Sequence, residues 1–371
     1  MAKMVHSLFS FVALAAALAA AAPLSSRQDW SDGETCRPCT PETIRTRVDF
    51  NSMPPEERKA YTDAVKCVMA QPSNLDPSLY PAAINRYFDY AVVHVNRTQY
   101  VHIDGFFLTW HRYFLWLYEK DLRRNCGYTG RFPYWDFAAT ADDPHKYPIF
   151  DGSEFSMSGD GIYNNTGPIQ LGAQLTIPHG TGGGCVYQGP FAYLTVPLAF
   201  IDPSQLATGT LPAGAFDYSP SCLMRDLNAY VSQTYTNQAE VVAASHATNA
   251  SDLEYLLNGV IGSNSLGIHS GAHFSIGGQM NSIHVSAQDP IWYPLHTFLD
   301  LVYTSWQINN PDVALDLSGT GTALNIPPSP NVTLDSIEPD WGYFHLDPIS
   351  VKDLMSTTAG PFCYQYDQVI S

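Results

Sequence analysis

The chain has 371 residues, enough for a substantial core, and combines 45% hydrophobic and 13% aromatic residues with only 14% charged ones. This composition excludes an intrinsically disordered protein, and a formal net charge of -17 disfavours phosphate backbones and anionic membrane surfaces as partners. We therefore expect a compact globular protein that does not bind nucleic acid.

The first 22 residues are typical of a secretory signal peptide. Lys3 precedes an apolar run of Leu, Phe, Val and Ala that ends in small residues from Ala20 to Ala22. No later apolar run reaches the roughly 18 residues that a membrane-spanning helix needs. The sequence thus predicts a secreted, extracellular protein that has no membrane anchor in its mature form, with residues 23–371 forming one domain.

Cysteines and glycosylation sequons fit this secretory route. Seven cysteines in an oxidising compartment predict up to three disulfide bonds with one cysteine left over. For the CxxC pair Cys36 and Cys39 we expect a structural disulfide role, because no second CxxC accompanies it. Four Asn-x-Ser/Thr sequons predict surface positions that can carry glycans: Asn96, Asn164, Asn249 and Asn331.

Helical patterns dominate the first third of the chain. Ser52, Pro54 and Glu56 form a start signal for a helix within NSMPPEERKAYTDAVKCVMAQ. A second helix is predicted through INRYFDYAVVHV, and a third, the strongest, through FFLTWHRYFLWLYEKDLRR. From about 142 to 220 the chain is rich in Gly, Pro, Ser and Thr without a sustained period, which predicts loops with short strands.

Regular structure is predicted to return near Asn249, with an apolar segment through LEYLLNGVIG and a histidine-bearing segment near 266–276. A long helix should follow and run through Trp306. Asp289 is its expected N-cap and Pro290 its expected first residue.

Six of the twelve histidines fall in two clusters, His94, His102 and His111 in one and His269, His273 and His296 in the other. His269 and His273 stand at i and i+4, so a helix presents both imidazoles on one face about one turn apart. Imidazole suits zinc, copper, iron and nickel alike, so the clusters predict metal binding without choosing the metal.

The remaining histidines of the mature chain are expected at the surface or as satisfied core residues, because they lack partners at ligand spacing: His145, His179, His246, His284 and His345. A zinc protease would need a glutamate directly after the first histidine of the His-x-x-x-His pair, where Ser270 stands. A mononuclear zinc hydrolase is therefore a disfavoured alternative.

The first histidine cluster lies in a segment that resembles a known copper signature. The stretch from His102 to Arg112, continuing through FLTWHRYFLWLYEKDLR, resembles the copper A signature of tyrosinases, catechol oxidases and molluscan hemocyanins. PYWDFA at 133–138 resembles the element that follows this signature in the family.

The second cluster continues the likeness in family order. His269-x-x-x-His273, followed by a DP-x-x-x-x-x-H-x-x-x-D pattern that ends at His296 and Asp300, resembles the copper B signature. The resemblance to tyrosinases and catechol oxidases, also called polyphenol oxidases, spans roughly residues 45–366 and is closest to the short secreted form found in fungi.

This resemblance implies a dinuclear type-3 copper site, with dioxygen as co-substrate and small phenols as substrates. It carries the ligand roles to His94, His102 and His111 for copper A and to His269, His273 and His296 for copper B. Asp300, one turn after His296, is expected to hydrogen-bond to a ligand ring and hold it in place. The implied fold is mainly α, with a central antiparallel four-helix bundle holding the copper pair and long loops with a few short strands around it.

Some positions depart from the family pattern. Tyr100 stands where many fungal relatives have a cysteine in thioether linkage to the second copper A histidine, and Leu295 replaces a frequent histidine. Ser270 replaces an asparagine, and Glu254 is the nearest acid to take the place of one that orients a water in relatives. These departures favour oxidation of o-diphenols to o-quinones, with weak monophenol hydroxylation at most.

Two alternatives share the same ligands. One is a hemocyanin-like oxygen carrier, which would bind dioxygen but exclude a phenol. The other is an oxidase of a specialised secondary-metabolite phenol or aminophenol. The sequence leaves the natural phenol, the oligomeric state and the disulfide pairing open.

Overall fold

The computed structural model describes residues 39–260, 263–339, 344 and 346–371. The predicted signal peptide, Cys36 and His345 lie outside the described residues. Within them, eight α-helices and nine short strands confirm the predicted mainly helical fold with few strands. No helix among these residues is long and apolar enough to cross a membrane.

The helices are α1 Pro55–Ala70, α2 Arg86–Arg97, α3 Phe107–Cys126, α4 Ala229–Tyr235, α5 Gln238–Ser245, α6 Ala250–Asn258, α7 Gly267–Ile276 and α8 Trp292–Asn309. The strands are β1 Arg45–Asp49, β2 Pro133–Tyr134, β3 Gly161–Tyr163, β4 Ile169–Leu171, β5 Leu175–Ile177, β6 Gly183–Val186, β7 Thr195–Val196, β8 Ser221–Cys222 and β9 Tyr364–Tyr366.

The helices α1, α2, α3, α6, α7 and α8 lie where the sequence predicts them, but two helix starts differ. Pro54 is the N-cap of α1 instead of Ser52, whose hydroxyl donates to the Asp49 carbonyl. α8 begins at Trp292 after Ile291, two residues later than expected. Asp289 does accept a hydrogen bond from the Ile291 N–H, yet both of its carboxylate oxygens also bind the Arg225 guanidinium.

Two short helices were not predicted, α4 and α5. Each begins at an asparagine whose side chain caps it: Asn228 accepts from the Val231 N–H, and Asn237 accepts from the Ala239 and Glu240 N–H groups. With 7 and 8 residues, they are too short to build up a clear apolar period, so the caps were the available signal.

A three-stranded parallel sheet joins distant parts of the chain, in the order β2-β1-β9. Arg45 of β1 pairs with Tyr364 of β9, and Val48 pairs with Pro133 of β2. The disulfide between Cys39 and Cys363 fastens the same two ends. The sheet thus brings the C-terminal Tyr-x-Tyr motif of β9 against the start of the described chain.

Three disulfide bonds confirm the number expected from seven cysteines. Besides Cys39–Cys363, they join Cys67 to Cys126 and Cys185 to Cys222. The second bond ties the ends of α1 and α3, and the third braces the loop-rich region. The structural role expected for Cys39 of the CxxC pair is therefore confirmed.

Aromatic side chains fill the core between α2, α3 and α8. The rings of Tyr118 and Tyr293 stack with centroids 3.6 Å apart, and Tyr87 and Tyr90 pack edge-on against them. Trp110 stacks on Phe114 of the same helix with centroids 4.6 Å apart. Such contacts bury large apolar areas and fix the spacing of the three helices.

The loops with short strands predicted from about 142 to 220 are confirmed as short two-stranded sheets, which extend to β8 and are held together by a buried arginine. The Arg225 side chain donates to the carbonyls of Met157, Ser158 and Gly159 and forms a bidentate ion pair with Asp289. This pair links the loop region to the segment before α8.

His145 lies in this region between two carboxylates. Its Nδ1 is 2.9 Å from Asp143 Oδ1, and its Nε2 is 3.3 Å from Asp160 Oδ2 and 2.9 Å from the Thr181 hydroxyl. The hydrogen bond to Asp160 raises the pKa of His145 above its ordinary 6.5; partial burial opposes this effect and Asp143 adds to it. A protonated His145 therefore stabilises the junction of two loops.

The stabilisation by His145 should depend on pH. Because the pKa of the ring is raised in the folded state, its contribution is complete below 6.5 and is lost as the pH rises through the folded-state pKa. We expect the loss of unfolding free energy in His145→Gln to be larger at about pH 5.5 than at about pH 8.5. Urea denaturation of wild type and variant at both pH values measures this difference.

His246→Gln is the matched control. This exposed ring at the end of α5 hydrogen-bonds to the Val242 carbonyl and to the Ser245 hydroxyl rather than to a carboxylate. An equal effect of His145→Gln at both pH values would show that the ion pairs do not contribute.

Candidate metal centre

Four helices carry five of the six clustered histidines. His94 lies near the end of α2, His111 on α3, His269 and His273 on α7, and His296 on α8. His102 lies in the turn between α2 and α3. The sixth ring therefore depends on a loop, whereas the others are placed by packed helices.

The rings form two triads, as the sequence predicts. His94, His102 and His111 have potential ligand atoms within 4.8 Å of one another, and the same holds for His269, His273 and His296. All six side chains are buried. Each triad has the three imidazoles that a single metal ion needs, and one or more coordination positions stay open for other ligands.

The two triads lie side by side. The His111 and His296 rings, one from each triad, stack with centroids 4.8 Å apart and planes 15° apart. His273 Nε2 lies 3.1 Å from His296 Nε2 within the second triad. Two ions held by these triads would therefore face one another.

Backbone carbonyls orient four of the rings through Nδ1. His94 donates to the His284 carbonyl at 2.8 Å and His102 to the Thr98 carbonyl at 3.1 Å. The corresponding acceptors for His111 and His273 are the carbonyls of Phe107 at 2.7 Å and Met280 at 3.0 Å. Since a carbonyl oxygen can only accept, Nδ1 carries the proton in each ring and Nε2 keeps its lone pair.

Three of the Nε2 atoms have no partner among the described residues that would compete with a metal. Those of His94, His111 and His269 are buried without a hydrogen bond to any described residue. Burial lowers the pKa of all six rings, to about 3 for His94 and about 4 for His273, and the backbone hydrogen bonds at Nδ1 oppose this effect only in part. Neutral imidazoles with buried, unpaired lone pairs are suited to bind a transition metal.

Aromatic rings enclose the two triads. Trp292 stacks on His296 with centroids 3.9 Å apart. Phe107 contacts both triads, with its centroid 4.9 Å from those of His111 and His269. Phe107, at the start of α3, is thus a core residue that also borders the site.

Asp300 does not hold a ligand ring, so this expectation needs correction. Its Oδ1 accepts from Arg112 at 2.6 Å, and its Oδ2 accepts from Arg47 at 3.2 Å and from the hydroxyls of Tyr364 and Tyr366 at 2.6 Å each. No hydrogen bond joins Asp300 to an imidazole in the described part of the chain. Burial alone would raise the pKa of Asp300, but Arg112 and Arg47 keep it below its ordinary value.

The Asp300 cluster still supports the site indirectly. Arg47 comes from β1, Arg112 from α3 directly after His111, Asp300 from α8, and the two tyrosines from β9. The cluster therefore fixes α3 against α8, the two helices whose His111 and His296 rings stack.

Two supporting residues were missed from the sequence. His284 contributes its backbone carbonyl to His94, so no side-chain pattern could reveal it. Asn258 accepts from His269 Nδ1 through Oδ1 at 2.8 Å and lies at the end of α6. Its distance of 11 residues from His269 follows no local spacing rule.

Comparison with known proteins places these features in one family. The family described as the common central domain of tyrosinase matches residues 84–309. Tyrosinase P of Aspergillus terreus is 38% identical over 330 residues, covering 86% of this chain and 91% of that protein. The N-acetyl-6-hydroxytryptophan oxidase of Emericella nidulans is 31% identical and covers 98% of this chain and 100% of that protein.

A solved structure of a similar protein has the same fold over most of both chains. A single-residue variant of a polyphenol oxidase from Thermothelomyces thermophila superimposes with a TM-score of 0.80 at 33% identity. The match covers 90% of this chain and 91% of that one.

Removing the charge of Asp300 should destabilise the protein strongly. In Asp300→Asn, Arg47 and Arg112 lose their shared counter-charge while they stay buried, and we expect a loss of about 3–5 kcal/mol of unfolding free energy. Urea denaturation of the purified variant measures it. Asp335→Asn, which alters an exposed pair with Lys352, is the control and should change stability little. A loss as small as in this control would contradict a structural role for the cluster.

Proposed function

Because the chain belongs to the tyrosinase family, we propose that it is a secreted dinuclear copper oxidase that converts o-diphenols to o-quinones with dioxygen. The observation that carries this proposal is the pair of buried histidine triads that face one another across the His111–His296 stack. Proteins of this family bind two copper ions through such histidines.

In this proposal the copper ligands are the six clustered histidines, with His94, His102 and His111 at copper A and His269, His273 and His296 at copper B. Bound copper supplies the electron-transfer chemistry that couples phenol oxidation to dioxygen reduction. The chain orients five of the six Nδ1 atoms with protein acceptors and surrounds the rings with apolar side chains, which limits access of water.

The small exposure of the site indicates where a substrate approaches. His273, His111 and His269 are 8%, 5% and 4% exposed, whereas His94 is 0% exposed. A flat phenolic ring can therefore approach on the side of the second triad and of His111. Phe107, beside both His111 and His269, is placed to contact such a ring.

The surroundings of the triads favour diphenols over monophenols. None of the six rings forms a hydrogen bond with a carboxylate in the described part of the chain, and a carboxylate is the kind of base that could take the proton of a monophenol. Glu254, the nearest acid expected from the sequence, accepts from Asn258 instead. We therefore infer weak monophenol hydroxylation at most.

A specialised substrate is the second candidate. The N-acetyl-6-hydroxytryptophan oxidase similar to this chain covers it almost completely, and its name describes a hydroxylated indole amino acid. A bulkier hydroxylated aromatic compound would use the same triads. The residues at the rim of the site would then determine whether such a compound or a simple catechol is the substrate.

Oxygen uptake tests the oxidase activity. With the copper-loaded protein we expect rapid oxygen consumption on a simple catechol and slow or no consumption on the matching monophenol. His111→Ala and His273→Ala should each lose the copper of one triad and nearly all activity, as measured by metal analysis and an oxygen electrode. His246→Ala, outside both triads, is the control.

The outcomes separate the alternatives. Two bound coppers without uptake on simple phenols, but with uptake on a hydroxyindole, would support the specialised oxidase. Two bound coppers that bind dioxygen reversibly without turnover of either substrate would support the oxygen carrier. Full copper content in both alanine variants would contradict the assigned ligands.

Secretion predicts glycans at the sequons that the fold leaves accessible. Asn164 and Asn331 are exposed. Asn96 is only partly exposed within α2, where the hydroxyl of its sequon partner Thr98 is buried and donates to the His94 carbonyl. Asn249 caps α6, and its amide already donates to Asp252.

We therefore expect glycans at Asn164 and Asn331 and low occupancy at the other two sequons. Peptide mass spectrometry of the protein secreted from a fungal host, before and after enzymatic deglycosylation, measures occupancy at each site. Unmodified Asn164 and Asn331 in secreted protein would contradict this assignment.

A further inference from the structure

The ring of His269 is held differently from the other rings of the two triads. Four of the others donate from Nδ1 to backbone carbonyls, and His296 Nδ1 has no hydrogen bond to a described residue. His269 alone donates to a side chain, Asn258 Oδ1, at 2.8 Å. A side-chain amide can turn over, so something must keep its oxygen towards the ring.

Glu254 is placed to do so. It lies one helical turn before Asn258 on α6, and its Oε2 accepts from Asn258 Nδ2 at 2.8 Å. The amide thus has an acceptor on one side and a donor on the other. We propose that Glu254 is a positioning residue that fixes the Asn258 amide, and through it the His269 ring, for metal binding in the second triad. This inference rests on the proposed copper function.

The orientation of the amide decides which nitrogen of His269 is available. With its oxygen towards the ring, Asn258 accepts from Nδ1–H, and the Nε2 lone pair points into the triad. An inverted amide would place its own N–H groups against Nδ1 and favour the ring form protonated at Nε2. That form cannot bind a metal through Nε2 until the proton leaves.

The inverted amide is disfavoured at its other end as well when the Glu254 carboxyl group is ionised. Its oxygen would then face the Glu254 carboxyl group, in place of the N–H that now donates to it. Burial, together with the charge of Asp104, raises the pKa of Glu254 well above its ordinary value. Both the neutral and the ionised carboxyl group offer an acceptor oxygen, so the hydrogen bond from Asn258 exists in either state.

The junction between α6 and α7 makes this contact possible. Gly267, the first residue of α7, has a φ of +67° and lies directly against the backbone of Leu257 and Gly259. A Cβ atom at 267 would overlap the Leu257 carbonyl oxygen. The glycine therefore allows the end of α6 to approach α7 closely enough for Asn258 to reach His269.

Copper retention tests this role. Wild type and variants are loaded with two copper ions per protein and then exposed to a copper chelator. Metal analysis measures the chelator concentration at which one of the two copper ions is lost. Glu254→Leu and Asn258→Leu remove an acceptor each, and we expect about 10- to 100-fold weaker retention of one copper. Glu254→Gln and Asn258→Asp keep an acceptor oxygen and should retain copper nearly as wild type does.

Glu338→Gln is the matched control. Glu338 is a buried carboxyl group whose pKa is likewise raised by burial and by Asp104, but no hydrogen bond joins it to Asn258 or to a ligand histidine in the described residues. Its substitution should leave copper retention unchanged. Thermal unfolding of the metal-free proteins separates loss of the fold from loss of the metal, and either leucine variant that folds is sufficient.

Normal retention of both coppers in a folded leucine variant would overturn the inference while leaving the proposed function intact. Failure of the wild type to bind two coppers would instead overturn the proposed function, and the inference with it. Equal loss of copper in the leucine variants and in their conservative counterparts would show that any substitution at these positions weakens copper binding, whether or not an acceptor is kept. That result would also contradict the inference.

Discussion

A buried neutral imidazole has two nitrogens, and an acceptor at Nδ1 favours the form in which Nδ1 carries the proton and Nε2 is free to bind a metal. This constraint shapes the whole site. Five rings meet it with protein oxygens, four from the backbone and one from Asn258. The acceptors for His102 and His111 lie 4 residues away, whereas the acceptor for His94 is the His284 carbonyl, 190 residues away, so only the complete fold orients all five rings.

The placement of the rings also explains why charged side chains are buried elsewhere in the core. The helices α3 and α8 must keep their relative positions for His111 and His296 to stack. Arg47, Arg112 and Asp300 provide this by a buried ion cluster between β1, α3 and α8. Buried charges of this kind add little net stability but penalise any arrangement that separates them. The Tyr364 and Tyr366 hydroxyls complete the cluster from the C-terminal strand.

Much of this architecture could be predicted because strong local signals carry it. The three long helices α1, α3 and α8 have apolar faces, and the two histidine clusters match an ordered family pattern.

What could not be predicted depends on contacts between distant segments. Asp300 has the right spacing to reach His296 one turn away, yet two arginines and two tyrosines that arrive from other segments take all its hydrogen bonds. Neither the role of the His284 carbonyl nor the parallel pairing of β1 with β9 can be recognised from a local sequence pattern. The short helices α4 and α5 depend on their asparagine caps and on packing.

The two triads differ in how firmly the protein holds them, and this difference has a chemical consequence. All three rings of the first triad donate to backbone carbonyls, which no side-chain substitution can remove. In the second triad only His273 does so; His269 depends on Asn258, and His296 makes stacking contacts with His111 and with Trp292. The second triad is also the more exposed, through His273. Under the proposed function, the triad whose rings depend more on side-chain contacts is thus also the one from whose side a substrate would approach. Substitutions outside the ligands would then alter ring orientation most readily at the second triad.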